Sequence, residues 1–244
     1  MNCQLQRHRL LWATAFVIAL ALPSAASAQR QTAPDTAPNT DCDVVVYGGT
    51  SAGVTAAVQA AVLGRSVVLI EQSLHIGGLT SGGLGATDIG NKTAIGGLSR
   101  RFYSLLWEHY AGDTAWQWQQ RSDYRSGRLR ATDKAMWTFE PHVAEQTLRR
   151  MLAEHEILVV VGERLELTAG VSAAGSRITS IRMESGREFH GKVFIDATYE
   201  GDLMAKAGVA FTVGREANSR YDETLNGVQV KNAVHHQFVV PVDP

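Results

Sequence analysis

A strand, a glycine-rich turn, a helix and a second strand follow one another in residues 43–71, and this unit constrains the fold more than any other part of the sequence. Residues 43–47 (DVVVY) are mostly β-branched, which is typical of a strand buried on both faces of a parallel sheet. After the turn, an Ala- and Val-rich segment that ends at Gly64 predicts a helix packed closely on the sheet. Residues 66–71 (SVVLIE) predict the second strand, so the unit closes within about 30 residues, and its last residue is Glu71.

The turn and the terminal carboxylate of this unit predict a nucleotide site. A glycine turn leaves backbone N–H groups free at a helix N-terminus, where the partial positive charge favours a diphosphate. Glu71 comes 23 residues after Gly48, near the spacing of about 20 at which an acidic side chain accepts hydrogen bonds from an adenosine ribose. The alternative is a purely structural glycine turn. The predicted contacts are Gly48, Gly49, Thr50, Ser51, Ala52, Gly53 and Glu71.

One position departs from the usual G-x-G-x-x-G fingerprint. The fingerprint would place glycines at 48, 50 and 53, but this chain has Thr50 and a glycine at 49 instead. Threonine adds a Cβ and a hydroxyl where the backbone approaches the phosphate most closely. Either the turn is re-registered around Gly49, or the hydroxyl donates to the phosphate.

Two further segments carry a resemblance to a known family. Residues 73–85 (SLHIGGLTSGGLG) follow Glu71 after a short loop, and residues 193–203 (VFIDATYEGDL) combine an apolar strand, an Ala-Thr pair and a Gly-Asp pair that opens a helix. With these motifs the chain resembles the FAD-dependent oxidoreductases with a glutathione-reductase-like fold of two dinucleotide-binding domains. The resemblance runs from about residue 43 to about residue 216.

The resemblance implies that FAD is the cofactor and extends the predicted site. Because a flavin dinucleotide is long, glycines after the ribose carboxylate let backbone donors reach its diphosphate and ribityl chain. Tyr199 stands where the family usually has a glycine, which leaves the path of its loop open, and Asp202 could instead be a plain helix N-cap. The residues implied at the site are Gly77, Gly78, Thr80, Ala197, Thr198, Gly201 and Asp202.

The segment between the motifs completes the predicted fold. Pro141 opens an amphipathic helix that runs to about Glu156, a strand follows at 157–161, and short alternating strands surround Gly175 and Gly186. We therefore predict an α/β protein, with a Rossmann-like FAD-binding domain that has a parallel sheet and a small antiparallel β-meander insertion.

The predicted FAD-binding domain occupies residues 42–216, and residues 217–244 are predicted to begin an incomplete substrate domain. Flavoproteins of the kind that the chain resembles usually continue well beyond the Gly-Asp helix. We therefore expect the chain to be a fragment, a truncated product or one piece of a split enzyme, and no catalytic residue is predicted.

The N-terminus has the pattern of a secretory signal peptide. Residues 7–9 (RHR) precede an apolar run at 10–22, and the small residues 26–28 (ASA) follow. The apolar run has 13 residues, fewer than the roughly 20 that a helix needs to span a bilayer. We predict cleavage after Ala28, a flexible linker at 29–41, and a secreted or periplasmic protein without a stable membrane span after cleavage. An uncleaved anchor is the alternative.

The charge balance and the histidine spacing narrow the range of possible functions. Lys and Arg number 23 and Asp and Glu number 24, so no excess of positive charge favours nucleic acid. His235 and His236 lack a third ligand at a recognisable spacing, so no metal site is predicted. We expect flavin-mediated oxidation or reduction of a small organic substrate. The alternatives are a non-catalytic flavin-binding domain that needs a partner chain, and an NAD-binding domain, and the sequence indicates no oligomeric state.

Overall fold

The computed structural model describes residues 40–129 and 132–224. The predicted signal peptide at 1–28, the linker residues 29–39, and residues 225–244, which include His235 and His236, lie outside the described residues. The main elements, in chain order, are β1 (Thr40–Tyr47), α1 (Ser51–Val62), β2 (Val67–Glu71), α2 (Gly97–Ala111), α3 (Pro141–Ala153), β3 (Leu158–Val161), β4 (Val171–Ala174), β5 (Arg177–Arg182), β6 (Glu188–Asp196) and α4 (Asp202–Lys206).

The strands form one six-stranded sheet in the order β3-β2-β1-β6-β5-β4. β3, β2, β1 and β6 pair in parallel, and β5 and β4 continue the sheet antiparallel. The predicted fold class is confirmed. Because β2 and β6 lie on opposite sides of β1, the connections that leave the carboxyl ends of these strands diverge, and such a point is where open α/β sheets bind ligands.

The side chains of β1 and β2 alternate between two hydrophobic clusters. On one face Val44, Val46 and Leu69 pack with residues of α1, α2 and α3. On the other face Val45 and Ile70 pack with residues of β3, β5 and β6. Both faces of these strands are therefore covered, which explains why their sequences are continuous apolar runs.

The structure differs from the sequence predictions in two element bounds and in one additional helix. β1 begins at Thr40, inside the predicted linker, because residues 40 and 41 pair with Phe189 and His190 of β6. α3 ends at Ala153 and not near Glu156, which has a left-handed φ of 52° that a helix does not accommodate. α2 has no equivalent in the sequence predictions, since its N-cap is Gly96 and no side chain caps its first turn.

Within the described ranges, none of the helices combines the length and the hydropathy that crossing a membrane requires. In the same ranges no group of three or more His, Cys, Asp or Glu side chains is arranged to hold a metal ion.

Candidate functional site

Three loops meet at the carboxyl ends of β1, β2 and β6. Backbone hydrogen bonds join them in pairs. Gly48 N–H donates to the Ile70 carbonyl at 2.8 Å, and Ala197 N–H donates to the Tyr47 carbonyl at 2.8 Å. Gly77 N–H donates to the Gly49 carbonyl at 2.7 Å. The structure therefore brings the three predicted site segments together, although they lie far apart in the sequence.

The connection between β1 and α1 requires two glycines, one that starts the loop and one in the first turn of the helix. Gly48 has φ +104°, and a Cβ on it would lie 2.7 Å from the backbone of Ala197 and Thr198. A Cβ on Gly53 would overlap the carbonyl oxygen of Gly48. The two glycines let the turn close tightly and let the first turn of α1 begin beside the loop that follows β6.

Thr50 is the N-cap of α1 and faces the protein. Its backbone is extended (φ −64°, ψ 171°), so the position does not need the conformational freedom of glycine. The Thr50 Oγ1 accepts a hydrogen bond from Gly53 N–H at 3.2 Å and donates to the carbonyl of Ala197 at 2.7 Å. The hydroxyl therefore caps the helix and joins the turn to the β6 loop, and the two sequence alternatives for the phosphate contact remain predictions.

Glu71 connects the glycine turn to the loop after β2. Its side chain is buried, with 8% of the residue exposed. Oε2 accepts a hydrogen bond from Gly49 N–H at 2.6 Å, and Oε1 accepts one from Ser73 N–H at 2.8 Å. An ionised carboxylate offers about four lone-pair sites, so two backbone donors leave capacity for further donors. The predicted ribose contact of Glu71 remains a prediction.

The loop after β2 uses two glycines in left-handed conformations. Gly77 has φ +112° and precedes a short 3-10 helix, Gly78–Thr80, in which Gly78 has φ +54°. The hydroxyl of Ser81 donates to the carbonyl of Ile76 at 2.5 Å and closes the turn. Gly77, Gly78 and Thr80 therefore form one compact turn beside the glycine loop.

Glu145 of α3 holds the start of this turn, and no sequence pattern indicates this role. Its Oε1 accepts a hydrogen bond from Ile76 N–H at 3.2 Å, and its Oε2 lies 2.9 Å from His75 Nδ1. Burial raises the pKa of Glu145, but hydrogen bonds with His75 and Arg149 outweigh it and hold the pKa below its ordinary value. Glu145 is therefore an anchor of the turn that carries Gly77.

Asp196, the last residue of β6, organises the third loop. Its Oδ1 accepts hydrogen bonds from the Thr198 N–H at 3.0 Å and the Thr198 hydroxyl at 2.7 Å. Its Oδ2 accepts one from Met204 N–H at 2.9 Å, which holds the first turn of α4. Gly201, with φ +71°, is the N-cap of α4, so Asp202 is the first helical residue and not the N-cap.

The combined site suits a long, anionic and hydroxylated ligand. The first N–H groups of an α-helix lack intrahelical acceptors and favour anions. The first residues of α1, Ser51 and Ala52, stand at this end of the helix, next to the glycine turn. A cleft of about 500 Å³ opens beside Gly78, and its lining includes Ser73, His75, Ser81, His142 and Glu145.

Comparison with known proteins gives one match over most of the chain. The model of a family described as FAD dependent oxidoreductase matches residues 43–241. The comparison with curated proteins gives no match.

Several solved structures are similar to this chain. A flavin-dependent brominase has a TM-score of 0.50 and 19% identity, over 72% of this chain and 43% of that one. An L-proline dehydrogenase from P. horikoshii has a TM-score of 0.46 and 16% identity, over 73% and 59%. A flavin-containing monooxygenase from Stenotrophomonas maltophilia has a TM-score of 0.40 and 17% identity, over 65% and 38%. The chain thus spans less than two thirds of the length of each of these proteins.

Proposed function

Since the chain belongs to the family of FAD dependent oxidoreductases, we propose that its three loops hold FAD for the oxidation or reduction of a small organic substrate outside the cytoplasm. The observation that carries the proposal is the meeting of the glycine turn, the loop after β2 and the loop after β6 at one end of the sheet. When bound, the flavin supplies the electron transfer, and the protein supplies binding and orientation.

The glycine turn and the N-terminus of α1 are proposed to hold the diphosphate. Gly48, Gly49 and Gly53 let the turn pack closely against its neighbouring loops, while Ser51 and Ala52 present the first N–H groups of the helix. Thr50 contributes indirectly, because its hydroxyl fixes the turn against Ala197.

Glu71 is proposed to accept hydrogen bonds from the adenosine ribose through the carboxylate capacity that Gly49 and Ser73 leave. Beyond the diphosphate, the ribityl chain would follow the remaining predicted residues of the two neighbouring loops. These are Gly77, Gly78 and Thr80 on one side, and Ala197, Thr198, Gly201 and Asp202 on the other.

The cofactor assignment is tested by titration of the purified protein. We expect flavin absorbance that dithionite bleaches, and binding of FAD to the flavin-free protein in calorimetry. FMN lacks the adenosine half of FAD. It should bind more weakly, because Glu71 and the first turn of α1 would lose groups that they are proposed to bind in FAD. A folded, colourless protein that gives no heat with FAD would overturn the proposal.

The substrate and the compartment are tested separately. Anaerobic reduction of the bound flavin by a panel of sugars, alcohols and amines identifies the substrate class, and no reduction by any of them favours a non-catalytic flavin-binding domain. Intact-mass measurement of exported protein tests the proposed cleavage after Ala28.

A further inference from the structure

Tyr199 occupies the gap between the loop after β2 and the loop after β6. The hydroxyl oxygen of Tyr199 accepts a hydrogen bond from Leu79 N–H at 2.8 Å, across 120 residues of sequence. A Cβ on Gly78 would overlap this same oxygen, so the phenol fits against the turn only because residue 78 is glycine. A glycine at 199 could make neither contact.

The phenol keeps one hydrogen-bonding function that the described part of the chain does not use. A tyrosine hydroxyl has one donor as well as its acceptor lone pairs. The Leu79 bond uses the oxygen as an acceptor, and within residues 40–129 and 132–224 no acceptor is paired with the Tyr199 O–H. The side chain is accessible, with 59% of the residue exposed. Donation from Leu79 polarises the hydroxyl and makes its O–H a stronger donor.

The Tyr199 hydroxyl lies between two segments proposed to hold the cofactor. Its neighbours Gly78 and Leu79 lie in the turn after β2. Tyr199 itself lies in the loop after β6, next to Thr198. An O–H donor at this point would meet the oxygen-rich part of a ligand that runs between the two loops.

We propose that Tyr199 is a cofactor-binding residue, which donates its O–H to an oxygen of the ribityl–diphosphate part of FAD while it accepts the Leu79 N–H. The proposal rests on the proposed function, because it needs FAD in the three-loop site. It adds a side-chain hydrogen-bond donor at position 199, where a glycine would offer only backbone groups.

Tyr199→Phe tests the proposal, because it removes the hydroxyl and keeps the exposed ring. We expect the FAD dissociation constant to rise about tenfold, the effect of losing one or two hydrogen bonds, and the Leu79 amide to exchange faster with solvent. Tyr124→Phe is the matched control. That ring packs against Trp116, away from the three loops, and its variant should bind FAD as the unaltered chain does.

A second measurement detects the contact in protein that keeps the Tyr199 hydroxyl. In protein labelled with 3-fluorotyrosine, the Tyr199 resonance, identified by its absence from Tyr199→Phe, should shift on addition of FAD, and the Tyr124 resonance should not. If the unaltered chain binds FAD but Tyr199→Phe binds equally well, or the Tyr199 resonance does not move, the proposal is wrong. If the unaltered chain binds no FAD, the proposed function itself fails, and this inference with it.

Discussion

The carboxylate of Glu71 accepts the N–H of Gly49 at 2.6 Å, so the second strand of the βαβ unit directly holds the turn that follows the first. The other oxygen accepts the N–H of Ser73. A residue predicted from its spacing to bind a ribose thus fixes the shape of two loops. The proposed ribose contact would therefore couple cofactor affinity to loop stability through one side chain.

Replacing this carboxylate with an amide tests the coupling. In Glu71→Gln the side-chain NH₂ must face a backbone donor, either Gly49 N–H or Ser73 N–H, and leave it unsatisfied. We expect the free energy of unfolding, measured in urea without cofactor, to fall by about 1–3 kcal/mol, and FAD binding to weaken. Glu184→Gln, on an exposed turn, is the control and should change neither quantity. An unaltered free energy of unfolding for Glu71→Gln would mean that the carboxylate does not hold the loops.

The double role of Thr50 gives a second prediction. Thr50→Val keeps the shape but loses the helix cap and the bond to the Ala197 carbonyl, so the free energy of unfolding should fall by about 1–2 kcal/mol. Thr50→Ser retains the hydroxyl and should lose less. Thr50→Gly restores the usual fingerprint, but it also removes both bonds, so FAD should bind more weakly to this variant in calorimetry. Tighter binding by Thr50→Gly would show that the threonine obstructs the phosphate.

The close packing of the glycine turn gives a third prediction. In Gly53→Ala the new methyl group meets the Gly48 carbonyl, and the turn must open. Overpacking of this kind costs about 1–3 kcal/mol of stability, and the displaced turn should bind FAD poorly. Gly90→Ala is the matched control, since a Cβ there meets nothing within 4 Å, and its stability should stay within about 1 kcal/mol of the unaltered chain. If Gly53→Ala and Gly90→Ala have equal free energies of unfolding in urea, Gly53 is not packed as closely as the structure indicates.

Asp43, at the start of the buried run of β1, gives a prediction for the stability of the fold in acid. The hydrogen bond from Lys192, together with bonds from the backbone and hydroxyl of Ser66, lowers the pKa of Asp43 from its ordinary value of 3.8 to about 2. A carboxylate with a depressed folded-state pKa stabilises the fold above its unfolded pKa, and this contribution is lost as the pH falls through the folded pKa.

We therefore expect the unaltered chain to be more stable than Asp43→Asn at pH 5, and the difference to shrink as the pH falls from about 4 to about 2. Urea unfolding of both proteins at several pH values measures this difference. Other titrating carboxylates, such as Glu166, are present in both proteins, so their contributions cancel in the difference. A difference that stays constant across the range would show that the charge of Asp43 does not contribute.

The strand–turn–helix–strand unit of residues 43–71 could be predicted from the sequence, but the contacts between loops that complete the site could not. The periodicity and glycines of residues 43–71 specify a strand, a turn, a helix and a strand, because each signal lies within a few residues of the element that it describes. The parallel sheet with its antiparallel extension was predicted from the same signals and the resemblance.

By contrast, Thr50 meets Ala197 across 147 residues and His75 meets Glu145 across 70. No local pattern encodes such pairs. They follow from the order of strands in the sheet, and the side-chain partners become apparent only when the strands are adjacent. Thr50 and Tyr199 are the two departures from the glycine pattern. Each side chain makes a contact between loops that the sequence alone does not indicate.

The position of β6 beside β1 also has a consequence for the order of folding. The βαβ unit is complete by Glu71, but its neighbour on the other side of β1 ends only at Asp196. The glycine turn of the site can therefore form before the loop that follows β6 lies beside it. Such a distant pairing closes slowly relative to local contacts, so the coenzyme should be captured late in folding, after β6 has paired with β1.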